Sequence, residues 1–219
     1  MEKRKQRLLS MKAAIFDLDG VISDTNQDHF KIEHEILLEH GINKSIEEIT
    51  GRFKGVIGKE LFGPLFKEHG INSSVEQAVN TKWERLKKRI GEKGVKEIPG
   101  ASELVKELKN KGFRLAIASS SRRDFVELVL KKLRLREYFD VIASGEEIGK
   151  GKGNPDVFLK AAEKLGLQPS ECVVIEDSVD GMKSAKSAGF MVVGLVKSDT
   201  AKTPAEFNVT SLEQLLNLL

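Results

Sequence analysis

The sequence predicts an α/β fold, a doubly wound parallel sheet that carries a small all-helical domain inserted after its first strand. Two observations predict it. Short apolar runs rich in Val, Ile and Ala alternate with helix-period segments over most of the 219 residues. Between about residues 25 and 96 that alternation stops, leaving helix-like segments and no convincing strand.

The candidate strands are 13–17, 114–118, 140–143, 172–175 and 191–195. Each is a nearly continuous apolar run, as a strand covered by helices on both faces requires. Leu104, Val105 and Leu108 follow Pro99-Gly100 at helical spacing. Phe125, Leu128, Val129 and Leu133 follow Ser121, which reads as an N-cap. Phe158, Ala161, Ala162 and Leu165 precede Gly166, a helix stop. Helices of the insertion are expected at 27–40, 59–69 and 75–90, with glycines at the joints. The expected division is a Rossmann-like core at 11–24 and 97–219, a helical cap at 25–96 over the carboxyl ends of the strands, and a basic extension at 1–10.

Hydrophobic residues make up 40% of the chain and charged residues 32%, which fits a globular protein with a charged surface. Lys and Arg total 36 against 33 Asp and Glu, and the signs are interspersed, so nothing points to nucleic acid. Lys3-Arg4-Lys5-Gln6-Arg7 precedes only Leu8 and Leu9 before Ser10, too short an apolar run for a signal peptide. No stretch reaches the roughly 18 apolar residues of a membrane span. The single cysteine, Cys172, excludes an internal disulfide and reads as a buried, inert hydrophobe. A cytoplasmic protein, monomeric or a small homo-oligomer, is expected.

Two strand ends carry paired acids. Ile15-Phe16-Asp17-Leu18-Asp19-Gly20 ends an apolar run with carboxylates two residues apart, a spacing that sends both side chains to one side. A solvated turn accounts for Asp-x-Asp-Gly equally well. Val173-Val174-Ile175-Glu176-Asp177-Ser178 repeats the pattern, and the two acidic ends together suit a hard cation such as magnesium. Ser119-Ser120-Ser121 offers hydroxyls and free amides at a helix start, a seat for phosphate, although Ser121 reads equally as a simple cap. Lys152 stands in a glycine-rich turn, where a lysine is otherwise merely solvated.

In this order, Asp17-Leu18-Asp19-Gly20-Val21, Ser119, Lys152 and Glu176-Asp177 resemble the four motifs of the haloacid dehalogenase superfamily. The resemblance runs from about Met11 onward and is to the branch with an inserted helical cap. It implies that Asp17 attacks phosphorus and forms an aspartyl phosphate. Asp19 is implied as the acid that protonates the leaving oxygen, a role needing it protonated at that step, and later as the base. Ser119 and Lys152 are implied to hold the phosphoryl oxygens. Mg²⁺ is implied between Asp17, Asp177, the backbone carbonyl of Asp19 and the phosphate, with Glu176 as direct or water-mediated ligand.

Four carboxylates and a phosphate then face only Mg²⁺ and Lys152, so a further positive group is expected from the cap or its rim. Arg52, Lys54, Lys59 and Lys82 are the candidates from the insertion, and Arg122 the candidate from the core. An acid at the position of Asp19 argues against dehalogenases and phosphonate hydrolases of the superfamily. Thr25, His29 and Lys54-Gly55-Val56 resemble segments of the β-phosphoglucomutases that position the acid and select a sugar phosphate over water. Ser120, Ser121 and Arg122 complete the expected substrate contacts. The segment from Lys54 to Glu60 is one residue longer than the mutase pattern, and Arg122 stands where a lysine is expected. The favoured reading is a phosphatase acting on a small phosphorylated metabolite, with a mutase as alternative. A non-catalytic binding protein would have lost Asp17, Lys152 or Asp177, and no Gly-x-Gly-x-x-Gly supports a dinucleotide site. Trp83, Phe53, Phe62 and Phe66 are expected to pack the core of the cap rather than line a pocket.

Overall fold

The computed structural model describes residues 2–53, 55–198 and 200–219. Helix α1 (Glu2–Leu9) opens the chain and leads to β1 (Ala13–Phe16). Among the described residues, the insertion that follows contributes α2 (Asn26–Glu39), α3 (Ile46–Phe53), α4 (Gly58–Glu68) and α5 (Val75–Lys93). Then come α6 (Ala101–Asn110), β2 (Arg114–Ser119), α7 (Arg123–Lys132), β3 (Val141–Ser144), α8 (Gly145–Ile148) and α9 (Asp156–Leu165). The chain ends with β4 (Cys172–Glu176), α10 (Val179–Ser187), β5 (Met191–Leu195), β6 (Phe207–Val209) and α11 (Leu212–Leu216).

The strands form one parallel sheet in the order β3-β2-β1-β4-β5-β6. Strand order reverses at β1, whose neighbours are β2 and β4, and in such sheets ligands bind outside the carboxyl ends at that point. The register is tight there: Phe16 is level with Ile117 on one side and Ile175 on the other. Residues 17, 118 and 176 are therefore level, and Ser119 follows one residue further on.

Side chains alternate across the sheet. Ala14, Phe16, Leu115, Ile117, Val173 and Ile175 join the core that α6 and α7 cover. Ala13, Ile15, Ala116, Ala118 and Val174 meet Phe158, Ala161 and Ala162 of α9 on the other face. Small residues at Ala116, Ala118 and Ala143 let α9 lie close. Gly166 ends that helix, as the sequence predicts. Cys172 is fully buried, and burial pushes its thiol up to about 11, as fits an inert hydrophobe.

The insertion is helical, as expected, and Ile32 and Ile36 from α2, Phe62, Leu65 and Phe66 from α4, and Trp83, Leu86 and Ile90 from α5 are buried in an apolar cluster continuous with that of the sheet. Helix α5 also contacts α7, so the insertion rests on the sheet domain. Three features differ from the sequence expectation. Within the basic extension, residues 2–9 form a helix that buries Leu8 against the core, which the sequence reading does not anticipate. A sixth strand appears, too short at three residues to register as periodicity. Helix α7 begins at Arg123 with Arg122, not Ser121, at the N-cap position and no side-chain cap, and the Ser121 hydroxyl donates to Asp19 instead. Among the described residues, no helix is long and apolar enough to cross a membrane.

Candidate active site

Asp17 follows β1 directly and is fully buried, its backbone N–H donating to the Ile175 carbonyl at 3.0 Å. Its Oδ1 accepts from the Leu18 N–H at 2.6 Å, and its Oδ2 forms an ion pair with Lys152. Lys152 reaches in from the loop before α9, and its Nζ also lies 3.4 Å from Glu176 Oε2. Glu176, the last residue of β4, uses its other oxygen to accept from the N–H and hydroxyl of Ser178, at 3.0 and 2.6 Å.

Burial raises the Asp17 carboxyl well above its usual range, Lys152 opposes the rise, and Glu176, Asp177 and Asp19 add to it. Glu176 is raised by burial too, with Lys152 again opposing. For Lys152 burial acts downward, but Asp17, Glu176 and Asp177 outweigh it and hold the ammonium above its usual value.

This chemistry suits a hard divalent cation. Oxygens of Asp17, Glu176 and Asp177 lie within 4.8 Å of one another. Asp17 Oδ2 and Glu176 Oε2 are buried and make no aligned hydrogen bond, which leaves lone pairs for a metal. Asn26, which the sequence reading missed, helps set the group: its Nδ2 lies 3.3 Å from the Asp19 carbonyl and 3.5 Å from Asp177 Oδ2. Gly20, at φ +94°, permits the approach; a Cβ there would lie 2.5 Å from Asn26 Nδ2 and 2.7 Å from Asp177 Oδ2.

The Asp19 carboxylate turns away from that group. Its Oδ1 accepts from the Thr25 hydroxyl and lies 3.3 Å from His29 Nε2, out of line for a hydrogen bond. Its Oδ2 accepts from the hydroxyls of Ser121 at 2.8 Å and Ser119 at 3.4 Å. Burial acts upward on Asp19, but His29, Thr25 and Ser121 outweigh it and hold the carboxyl well below the usual range. The resting group is ionised, the state of a base, whereas the sequence reading expects an acid at the first step. Ser121 N–H donates to Ser119 Oγ at 3.1 Å, so the serine turn closes around Asp19.

A cavity of about 60 Å³ joins Asp17, Asp19, Lys152 and Asp177 to His29, Glu33, Lys82 and Trp83 of the insertion. The remaining expected contacts divide. Ser120 lines the cavity, with its hydroxyl on the Gly55 carbonyl at 2.8 Å. Arg122 does not reach it: the guanidinium pairs with Asn80 and Asp124 along a separate groove that also holds Lys59. Arg52 forks onto Glu68 at the surface. Lys54 lies outside the described residues. Among the described residues, Lys82 is the cation of the insertion that lines the cavity, and Glu33, at 2.5 Å, cancels its charge. The expected net positive charge from the cap is therefore not supplied by these residues. Phe62 and Phe66 pack the cap core as expected, whereas Phe53 and Trp83 also line the cavity.

Residues 14–195 match the family model described as haloacid dehalogenase-like hydrolase. The phosphorylated carbohydrates phosphatase of Thermotoga maritima is 34% identical over 215 residues, covering 95% of this chain and 98% of its own. The beta-phosphoglucomutase of Bacillus subtilis is 32% identical over 191 residues, covering 84% of this chain and 83% of its own. Among solved structures, CbbY from Rhodobacter sphaeroides in complex with phosphate superposes with a TM-score of 0.83 at 27% identity, over 94% of this chain and 96% of that one. With a strand-end nucleophile candidate, a buried lysine and a second acidic strand end on one fold, the chain belongs to the haloacid dehalogenase-like hydrolases.

Proposed function

We propose that the chain is a magnesium-dependent phosphatase that hydrolyses a small phosphorylated carbohydrate through an aspartyl-phosphate intermediate. The observation that carries this reading is the environment of Asp17. It is a buried carboxylate ion-paired with Lys152, beside a second acid whose carboxylate is oriented by Thr25, Ser121 and His29. The names of the Thermotoga maritima and Bacillus subtilis relatives support a sugar phosphate as substrate.

In the first step Asp17 attacks phosphorus, the bond from phosphorus to the substrate oxygen breaks, and Asp19 gives that oxygen a proton. A phosphate dianion entering beside Asp19 raises its carboxyl against the pull of His29, which supplies the acid form when it is needed. In the second step Asp19 takes a proton from water, the water oxygen attacks phosphorus, and the bond to Asp17 breaks. Lys152 holds Asp17 in place and offsets charge on the phosphoryl oxygens. Asp17, Glu176 and Asp177 would hold Mg²⁺, which when bound neutralises the crowded negative charge.

The second reading is a β-phosphoglucomutase, in which a sugar hydroxyl replaces water. His29 and Thr25 on Asp19 and the Bacillus subtilis relative favour it. Incubation with β-glucose 1-phosphate and a trace of its 1,6-bisphosphate separates the two. Free phosphate as the main product supports the phosphatase, and predominant glucose 6-phosphate overturns it.

A further inference from the structure

Glu33 of α2 and Lys82 of α5 form an ion pair of 2.5 Å on the wall of the cavity that holds Asp17, with side chains 9% and 4% exposed. Beside them Trp83 lines the same cavity, and its Nε1–H is buried with no hydrogen-bond partner. Lys82 Nζ lies 4.9 Å from the centre of the Trp83 ring. Neither feature belongs to the phosphoryl-transfer chemistry.

Both are poor stabilisers of a folded chain. A buried ion pair loses hydration that its mutual attraction barely restores, and an apolar pair of similar volume often stabilises as well or better. A buried N–H without an acceptor is a plain loss. On a cavity wall, a ligand can complete the set. The ligand must both donate and accept, since Glu33 is an acceptor while Lys82 and Trp83 are donors. A neutral hydroxyl does both. A second phosphate or a carboxylate would meet the Glu33 charge, and an alkyl or aryl group would leave the Trp83 N–H without an acceptor.

We infer that Glu33, Lys82 and Trp83 form a hydroxyl-binding subsite that selects a neutral, polyhydroxylated leaving group. The substrate class is thus a singly phosphorylated polyol or sugar, in preference to an alkyl phosphate or a bisphosphate. This rests on the phosphatase reading above. A site built to hydrogen-bond a hydroxyl rejects an analogue lacking it far more strongly than an apolar pocket rejects an extra one.

The test compares sorbitol 6-phosphate with hexyl phosphate, which share a six-carbon chain and differ in hydroxyls. It uses the wild type, Glu33→Gln, Lys82→Met, Trp83→Phe and the double change Glu33→Met with Lys82→Met. The double change leaves neither charge unpaired, so it tests the subsite even where a single change unfolds the chain. The wild type is expected to favour the hexitol at least tenfold in kcat/KM, and each change at Glu33 or Lys82 to cut that preference at least tenfold, mainly through KM. Trp83→Phe should cut it less. A wild type without preference overturns the inference, as do folded variants in which both substrates fall by one factor. In either case the phosphatase reading stands. A wild type that hydrolyses neither substrate nor p-nitrophenyl phosphate in Mg²⁺ removes the phosphatase reading, and the inference falls with it.

Discussion

The backbone N–H of Lys152 donates to the carbonyl oxygen of Gly55 at 3.0 Å, tying the insertion to the loop that carries the lysine beside Asp17. The Ser120 hydroxyl donates to the same carbonyl at 2.8 Å, and Glu60 accepts from the N–H of Gly151 at 3.2 Å. The insertion is thus bonded to three residues, Ser120, Gly151 and Lys152, beside the Asp17 cavity. That cavity, about 60 Å³, holds only a few water-sized volumes.

Gly151 is where that coupling is most easily broken. A Cβ there would lie 2.8 Å from Val56 Cα and 2.9 Å from the Gly55 oxygen, both backbone atoms that cannot rotate aside. Gly151→Ala is expected to lower kcat/KM about a hundredfold, the scale of a 1 Å misplacement of catalytic groups. Ser120→Ala removes one bond and leaves the Lys152 bond to Gly55, so a loss of about 1 kcal/mol, roughly fivefold, is expected. Steady-state kinetics of the two variants beside the wild type, with melting curves, check the order. Equal activity in Gly151→Ala and wild type would show that this contact is idle.

Asp17→Asn keeps the size of the side chain and removes the proposed nucleophile. Turnover of p-nitrophenyl phosphate is expected to fall by about four orders of magnitude or more, the scale seen when a nucleophile is deleted. The fold should persist, because Lys152 keeps Glu176 as an ion-pair partner at 3.4 Å. Circular dichroism and turnover on the same sample decide it, and a folded variant with near-normal rate sinks the assignment.

How far the sequence reaches is clear from individual residues. The sheet is legible because each of the five expected strands is a short apolar run with its own boundary, and acids at two of those boundaries mark where a cation would sit. The Ser121 hydroxyl is not legible: a serine before a helix looks the same whether it caps the helix or, as here, donates to Asp19. Arg122 stands one residue further on and faces Asn80 and Asp124 instead of the cavity, a direction set by where the chain turns into α7. Lys82 meets Glu33 across 49 residues, a pairing that only the packing of α2 on α5 creates. Asn26 sits at the start of α2 and carries no motif; its role comes from the close approach that Gly20 allows.

Chelation should abolish activity, and Mg²⁺ should restore it. Binding has a second readout, since a cation that relieves repulsion among Asp17, Glu176 and Asp177 stabilises the folded chain. At about a hundred times its dissociation constant the ion adds roughly 2.7 kcal/mol, an upward shift of several degrees in Tm. Asp177→Asn should lose that shift along with the activity. A Tm indifferent to Mg²⁺ in the wild type, together with full activity after chelation, would remove the metal from the proposal.

His29 gives a pH prediction whose sign follows from its neighbour. Its ring nitrogen lies 3.3 Å from Asp19 Oδ1, and it is the foremost of the groups that hold the Asp19 carboxyl down against the upward push of burial. A depressed carboxyl stays ionised as pH falls, so the base form needed to activate water persists into acid solution. Replacing His29 with Asn removes the strongest of those downward influences while Thr25 and Ser121 remain, and the carboxyl rises. The ionised fraction is then lost at a higher pH, so the acid limb of the kcat profile moves upward in His29→Asn. Thr25→Val should move the limb the same way by a smaller amount, since Thr25 contributes a single hydrogen bond from a neutral group. Profiles of wild type and both variants on p-nitrophenyl phosphate at saturating Mg²⁺ measure this. A limb that stays in place while kcat falls uniformly would mean that His29 positions substrate and does not act on Asp19.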